Sequence, residues 1–177
     1  ATTPALNGQG SLTTLYNGIT GLPCGTSLSG QDLSGKILIP GVYCFTSSAV
    51  NSGILTLDAQ NSTTSFWVFQ VGSSLNFAAS SSINIINSVS STIRCNIYWQ
   101  VGSSATISAS SSFSGILCAY SSITISTGAT ISGNLYASNG AITFQNNIVN
   151  GCIGSNLFYL VNNNSKIALE EEFRWGD

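Results

Sequence analysis

Two stretches, "FWVFQVGSS" at residues 66–74 and "NIYWQVGSS" at residues 96–104, decide how this chain is read. The second repeats the first thirty residues on, setting Trp99 against Phe69, Gln100 against Gln70, Val101 against Val71 and Gly102 against Gly72. Downstream the interval shortens: Gly115, Gly133 and Gly151 are eighteen apart, as are Ala105 and Ile123, Ile107 and Ile125, and Phe113 and Ile131. A unit of that length cannot bury its apolar side alone and must stack on the next, which keeps side-chain identity at a fixed interval. Thirty is then one unit plus an insertion, and the excess falls in "NIINSVSSTIR" at 84–94.

The runs inside each unit, "GILTLD", "SSLNF", "SATIS", "SSITIS" and "GAITF", alternate apolar and small polar residues and read as short strands. Stacked about 4.7–4.9 Å apart, they predict inward ladders of Phe69 over Trp99 and Val71 over Val101, with glycines at the corners. A β-sandwich also has short strands at regular intervals, but it has no reason to repeat side-chain identity at a fixed offset. Ahead of this region, "SLTTLYNGITGLPC" at 11–24 puts Leu12, Leu15, Tyr16 and Ile19 on one helical face. Ser11 can cap this helix, Gly21 can close it, and Pro23 stops it. The expected layout is one domain over 1–177: a flanking helix in 1–22, solenoid rungs over 36–152, and a C-terminal strand with an acidic tail in 153–177.

The chain has 177 residues, 43% of them hydrophobic and 10% aromatic, enough for a packed core. Only 6% are charged, against about 25% ordinarily, so the polar surface must be built from Ser, Thr, Asn and Gly. Lys36, Arg94, Lys166 and Arg174 are too scattered to track a phosphate backbone, which argues against a nucleic-acid partner. No apolar run approaches the roughly 18 residues that span a bilayer. The absence of Met, the five Cys, and sequons at Asn61 and Asn163 as glycosylation candidates point to a secreted, extracellular product trimmed of its leader. An odd cysteine count leaves at least one thiol unpaired or bonded to another chain.

On these residues the chain resembles the microbial and algal ice-binding (antifreeze) proteins. The resemblance is carried by "LSGKILIPGVYCF", "GILTLDAQNSTTSFWVFQVGSSL", "CNIYWQVGSSATI" and "SITISTGATISGNLYASNGAITFQNNIV", which cover most of the chain. It implies a mostly β fold, a right-handed, discontinuous β-helix or solenoid with one α-helix packed alongside, and ice as the partner. Members of that family carry several tens of residues before the helix, so a trimmed segment, a shorter solenoid, or rungs completed from elsewhere is expected here. The tail, with "LFYLV" and Glu170, Glu171 and Glu172, could supply such a part, either capping its own solenoid or pairing with a neighbouring copy. Cys24 and Cys44 flank the junction of helix and solenoid, and a disulfide there would staple the two. The spacing leaves Cys95, Cys118 and Cys152 undecided.

Catalysis is not expected. The chain has no His, and before residue 170 its only acids are Asp32 and Asp58. A Ser or Cys nucleophile therefore lacks its usual base, paired carboxylates are missing, and no metal or other cofactor is implied. What remains is a surface. The segments before Ile83, Phe113, Ile131 and Ile148, all taken as inward, are "ASSS", "ASSS", "TGAT" and "FQNN". They predict an ice-binding face of Ala79, Ser80, Ser82, Ala109, Ser110, Ser112, Thr127, Ala129, Thr130 and Asn147. Its columns would be Ala79–Ala109–Thr127–Phe144 and Ser82–Ser112–Thr130–Asn147. The runner-up is an extracellular structural or adhesive subunit that self-assembles end to end; carbohydrate binding is a third reading, weakened by aromatics at inward positions.

Overall fold

In the computed structural model, which describes residues 13–152, the seventeen short strands stack into three parallel sheets, and neighbours in every sheet follow chain order. The first sheet holds Thr26–Ser27, Gly41–Phe45, Trp67–Val71, Ile97–Val101, Ile116–Ala119 and Leu135–Ala137. The second holds Ala49–Asn51, Leu75–Phe77, Ala105–Ile107, Ile123–Ile125 and Ile142–Phe144. The third holds Ile37–Leu38, Ile54–Asp58, Ser82–Ile86, Ser112–Ser114, Thr130–Ser132 and Ile148–Asn150. Each coil after the first visits the first, second and third sheets in turn, as a β-solenoid must; in the first coil a single bridge from Asp32 to Val50 stands in place of a second-sheet strand. The coils begin at Thr26, before the expected boundary at 36, because the first coil is made of two-residue strands too short to show a period.

The predicted registers hold. Phe69 pairs with Trp99, Gln70 with Gln100 and Val71 with Val101, while Ala105 pairs with Ile123 and Ile107 with Ile125. Inside, Phe69 stacks on Trp99 with ring centroids 3.9 Å apart and planes 9° from parallel, and Phe77 and Phe113 meet Trp99 at larger angles. Such aromatic pairs add about 0.5–1.5 kcal/mol beyond their buried area. The buried indoles also satisfy their N–H groups, Trp67 donating to the Leu38 carbonyl and Trp99 to that of Ser114. Glycine is required where corners stack: a Cβ on Gly102 would collide with the Gly72 carbonyl, and one on Gly133, at φ 156°, with that of Gly115.

The thirty-residue offset comes mainly from residues 87–96, an insertion that ends in a 3-10 turn at Ile93–Asn96, with the rest in the strand Ser82–Ile86, which runs longer than Ser112–Ser114 in the next coil. A disulfide joins Cys95 of this insertion to Cys152 at the end of the last coil, and another joins Cys24 to Cys44. Cys118 is free and buried. The last coil departs from expectation. Val149, not Ile148, pairs with Ile131, and Ile148 is 63% exposed. The turn there is one residue shorter, since Phe144 pairs with Ile125 but Ile148 pairs with Thr130.

Residues 13–20 are helical, in keeping with the predicted flanking helix; Ser11 and Leu12 lie outside the described residues, as do "LFYLV", the acidic tail and Asn163.

Candidate functional site

The outer face of the first sheet is occupied. In register along it run Cys44, Gln70, Gln100, Cys118 and Tyr136, and the helix lies along this column. Cys44 is bonded to Cys24. Gln70 donates from Nε2 to the carbonyls of Ile19 and Leu22 at 2.7 and 2.8 Å, and Gln100 donates to the Tyr16 hydroxyl at 2.7 Å. Leu15 and Tyr16 pack on Ile116, Cys118 and Tyr136. One helical turn rises about 5.4 Å and one coil about 4.8 Å, so successive turns of helix meet successive coils.

The outer face of the second sheet is open. Between the buried Ala105 and Ile107 stands Thr106, and between the buried Ile123 and Ile125 stands Thr124. Alternation turns both outward. In register they form the column Val50–Asn76–Thr106–Thr124–Thr143. Two positions away on either side lie parallel columns, Ser48–Ser74–Ser104–Ser122–Ala141 and Ser52–Ala78–Ser108–Ser126–Gln145. The hydrogen-bond ladder extends beyond the named strands: Leu75 N–H donates to the Ser104 carbonyl, Ala105 N–H to Ser122, Ser108 N–H to Phe77 and Ser126 N–H to Ile107. Stretches such as 104–108 and 122–126 are thus held flat against each other. Their side chains repeat at about 4.8 Å along the axis and about 6.6 Å across it.

Among the described residues charge enters this face only at one end. Asp32 bridges to Val50, and its carboxylate accepts from the backbone N–H of Ser34 and Ser52 at 2.8 and 3.0 Å. Burial alone would push its pKa up; the hydrogen bonds from Ser52 and Ser34 and the nearby Lys36 outweigh this and hold it below the ordinary range. Among the described residues no cluster of His, Cys, Asp and Glu could hold a metal ion.

The residues singled out from the sequence lie at the turn from the second to the third sheet, not on the flat of either. Ala79, Ser80, Ala109, Ser110 and Thr127 are exposed in that turn, and Ser80 and Ser110 have φ of 60° and 57°. Ser82, Ser112 and Thr130 pair in register, but as the first residues of third-sheet strands. Two of the predicted residues are engaged elsewhere. Ala129 is fully buried, its methyl directed into the core. Asn147 stacks on no one in the Thr130 column; its Nδ2 donates to the carbonyls of Ser126 and Ala129 and its Oδ1 accepts from Gln145 N–H, closing the shortened last turn. Phe144 pairs with Ile125 rather than stacking on Thr127. The signal for the flat face was the S-x-T-x-S pattern of "SATIS" and "SITIS": with Ala105, Ile107, Ile123 and Ile125 inward, the intervening hydroxyls must face out.

The third sheet's outer face is mixed. Exposed Ile37, Ile54 and Ile148 interrupt its Ser82–Ser112–Thr130 column and the column beside it.

A family profile described as "Ice-binding-like" matches residues 1–150. An ice-binding protein from Nostoc sp. (strain HG1) is 42% identical over 152 residues, covering 85% of this chain and 55% of that protein. One from Flammulina populicola is 32% identical, covering 66% of this chain and 45% of its own length. The chain thus spans about half the length of these curated relatives. The crystal structure of an ice-binding protein from the Antarctic ascomycete Antarctomyces psychrotrophicus superposes with a TM-score of 0.77 at 32% identity, covering 83% of this chain and 70% of that one.

Proposed function

The chain belongs to the ice-binding-like family, and on that premise we propose that it adsorbs to ice, without catalysis, through the outer face of its second sheet. The observation that carries this reading is the register column Thr106–Thr124–Thr143 lying between columns of serines. Ice is a rigid, uncharged, periodic lattice. A binder needs small side chains at fixed spacing rather than a pocket, because each contact is weak and only a flat array lets them add. Methyls and hydroxyls of Thr and Ser lose little rotamer freedom on contact, whereas long polar or charged chains lose about 1.5–2 kcal/mol each when fixed. Val50, Asn76 and Asp32 make the first coils the poorer end of the array, so adsorption centres on the coils carrying Thr106, Thr124 and Thr143. The exposed turn residues Ala79, Ser80, Ala109, Ser110 and Thr127 border the array, and Ser82, Ser112 and Thr130 lie beyond that border. The two disulfides fit an extracellular protein, and secretion into freezing surroundings is the setting in which such a surface acts.

The test is Thr124→Tyr, which places a bulky ring at the centre of the array on an outward position. We expect unchanged far-UV circular dichroism and loss of most thermal hysteresis. A folded Thr124→Tyr protein that still partitions fully into a growing ice hemisphere would remove the second sheet as the adsorbing surface.

A further inference from the structure

We propose that Asn61 is an acceptor for an N-linked glycan and that the sugar projects from the edge of the solenoid that the second sheet does not touch. The sequon Asn61-Ser62-Thr63 lies between the third-sheet strand Ile54–Asp58 and the first-sheet strand Trp67–Val71, at the corner shared by those two sheets. Asn61 is exposed, as is Thr63. The backbone of Asn61 is turned into the left-handed region, φ 56°, and its N–H is held by the Asn87 carbonyl at 2.8 Å. The backbone is therefore fixed, while the side-chain amide makes no hydrogen bond among the described residues. This combination presents a free amide outward from a tight turn. The other asparagines turned left-handed among the described residues, Asn87 and Asn146, carry no sequon.

The donor is a lipid-pyrophosphate-linked oligosaccharide. Asn61 Nδ2 attacks the anomeric carbon, the C–N bond forms as the C–O bond to pyrophosphate breaks, the amide nitrogen gives up one proton, and the lipid pyrophosphate leaves. The linked sugar is bulky and strongly hydrated, so its position decides whether it is compatible with adsorption. The corner at Asn61 is opposite the second sheet in the three-sided coil. This second half of the proposal rests on the reading of the second sheet as the ice-adsorbing face.

The experiment uses the full chain secreted from a eukaryotic host, with intact mass and peptide mapping before and after peptide N-glycosidase. We expect a glycan mass on wild type, conversion of residue 61 to Asp by the enzyme, and loss of that modification in both Asn61→Gln and Thr63→Ala. Partition into ice should be the same within about twofold for wild type and Asn61→Gln, as for distant independent sites. An unmodified Asn61 peptide in the secreted wild type overturns the acceptor assignment. Ice partition that rises about tenfold or more in Asn61→Gln overturns the placement of the sugar away from the adsorbing face. If neither form partitions into ice, the adsorption reading fails while the mass data still decide Asn61.

Discussion

The first and second sheets come from the same repeating unit, yet one outer face is a seat for a helix and the other is left open. On the first, the outward column is Gln70, Gln100, Cys118 and Tyr136, which changes in size and chemistry along the axis: the two glutamines hydrogen-bond to the helix, and Cys118 and Tyr136 pack against Leu15 and Tyr16. On the second, the outward column is Thr106, Thr124 and Thr143 with serines on both sides. A helix is finite and irregular in side chains, so its seat varies from coil to coil. On the proposed reading the open face meets a crystal, which repeats, and a seat for a crystal has to repeat too.

The strongest way to break that comparison is to make the open face resemble the covered one. In Thr106→Gln/Thr124→Gln the face stays polar, uncharged and able to hydrogen-bond, but it gains two long rotamer-rich chains. Each costs about 1.5–2 kcal/mol to immobilise, so the ice-bound fraction should fall about tenfold or more, measured by partition into an ice hemisphere with folding checked by circular dichroism. If the double variant binds as well as wild type, polarity rather than rigid small size governs the face.

The converse substitution should leave adsorption intact and cost stability. Gln70→Ala removes two hydrogen bonds to the carbonyls that end the helix, which leaves those groups to find water. A loss of about 1–2 kcal/mol is expected, read as a fall in Tm by calorimetry, with thermal hysteresis per folded molecule unchanged. The Cys24–Cys44 bond, closing a loop of 20 residues at about 3 kcal/mol in the chain-entropy model, keeps the helix attached in this variant.

Cys118 reports on how well the helix covers its seat. Burial pushes its thiol up to about 12, whereas in the unfolded chain it titrates near about 8.5. The neutral thiol is the form the fold prefers, so the stabilisation is fully present below the unfolded value and is lost as pH rises through the folded one. Iodoacetamide at a pH near 9 should leave Cys118 unmodified in the native protein and alkylate it at once in denaturant. Rapid native labelling would mean that the first-sheet face opens on its own.

How far the sequence reaches depends on which direction a residue faces. The inward ladder was legible because packing demands like character: Phe69 and Trp99 are both aromatic and stack, Ile107 and Ile125 are the same residue, and the thirty- and eighteen-residue offsets betray them. The outward lattice was less so, since Ser and Thr serve equally well in turns. The four-residue segments at 79–82, 109–112 and 127–130 drew the eye by composition, but their left-handed residues show that they serve as corners. The last coil misled for a further reason: a turn shortened by one residue moves Ile148 out and Val149 in, and only the amide of Asn147, spent on three backbone groups, marks the shift. The Cys95–Cys152 bond was out of reach because the pairing depends on where the insertion at 87–96 lies in space.

The smallest expected effect comes from the third sheet, and it bounds the comparison on that side. Thr130 pairs with Ser112 on one side and with the exposed Ile148 on the other, so its column is broken within one coil of it. A ring placed there by Thr130→Tyr stands across the corner from the array of Thr106 and Thr124, on a face tilted away from any plane that array contacts. The hysteresis should change by less than about twofold, because contacts accumulate only over a continuous flat area. A loss as large as that of Thr124→Tyr would mean that adsorption spans the corner, with Ala79, Ser80, Ala109, Ser110 and Thr127 at its centre instead of its border.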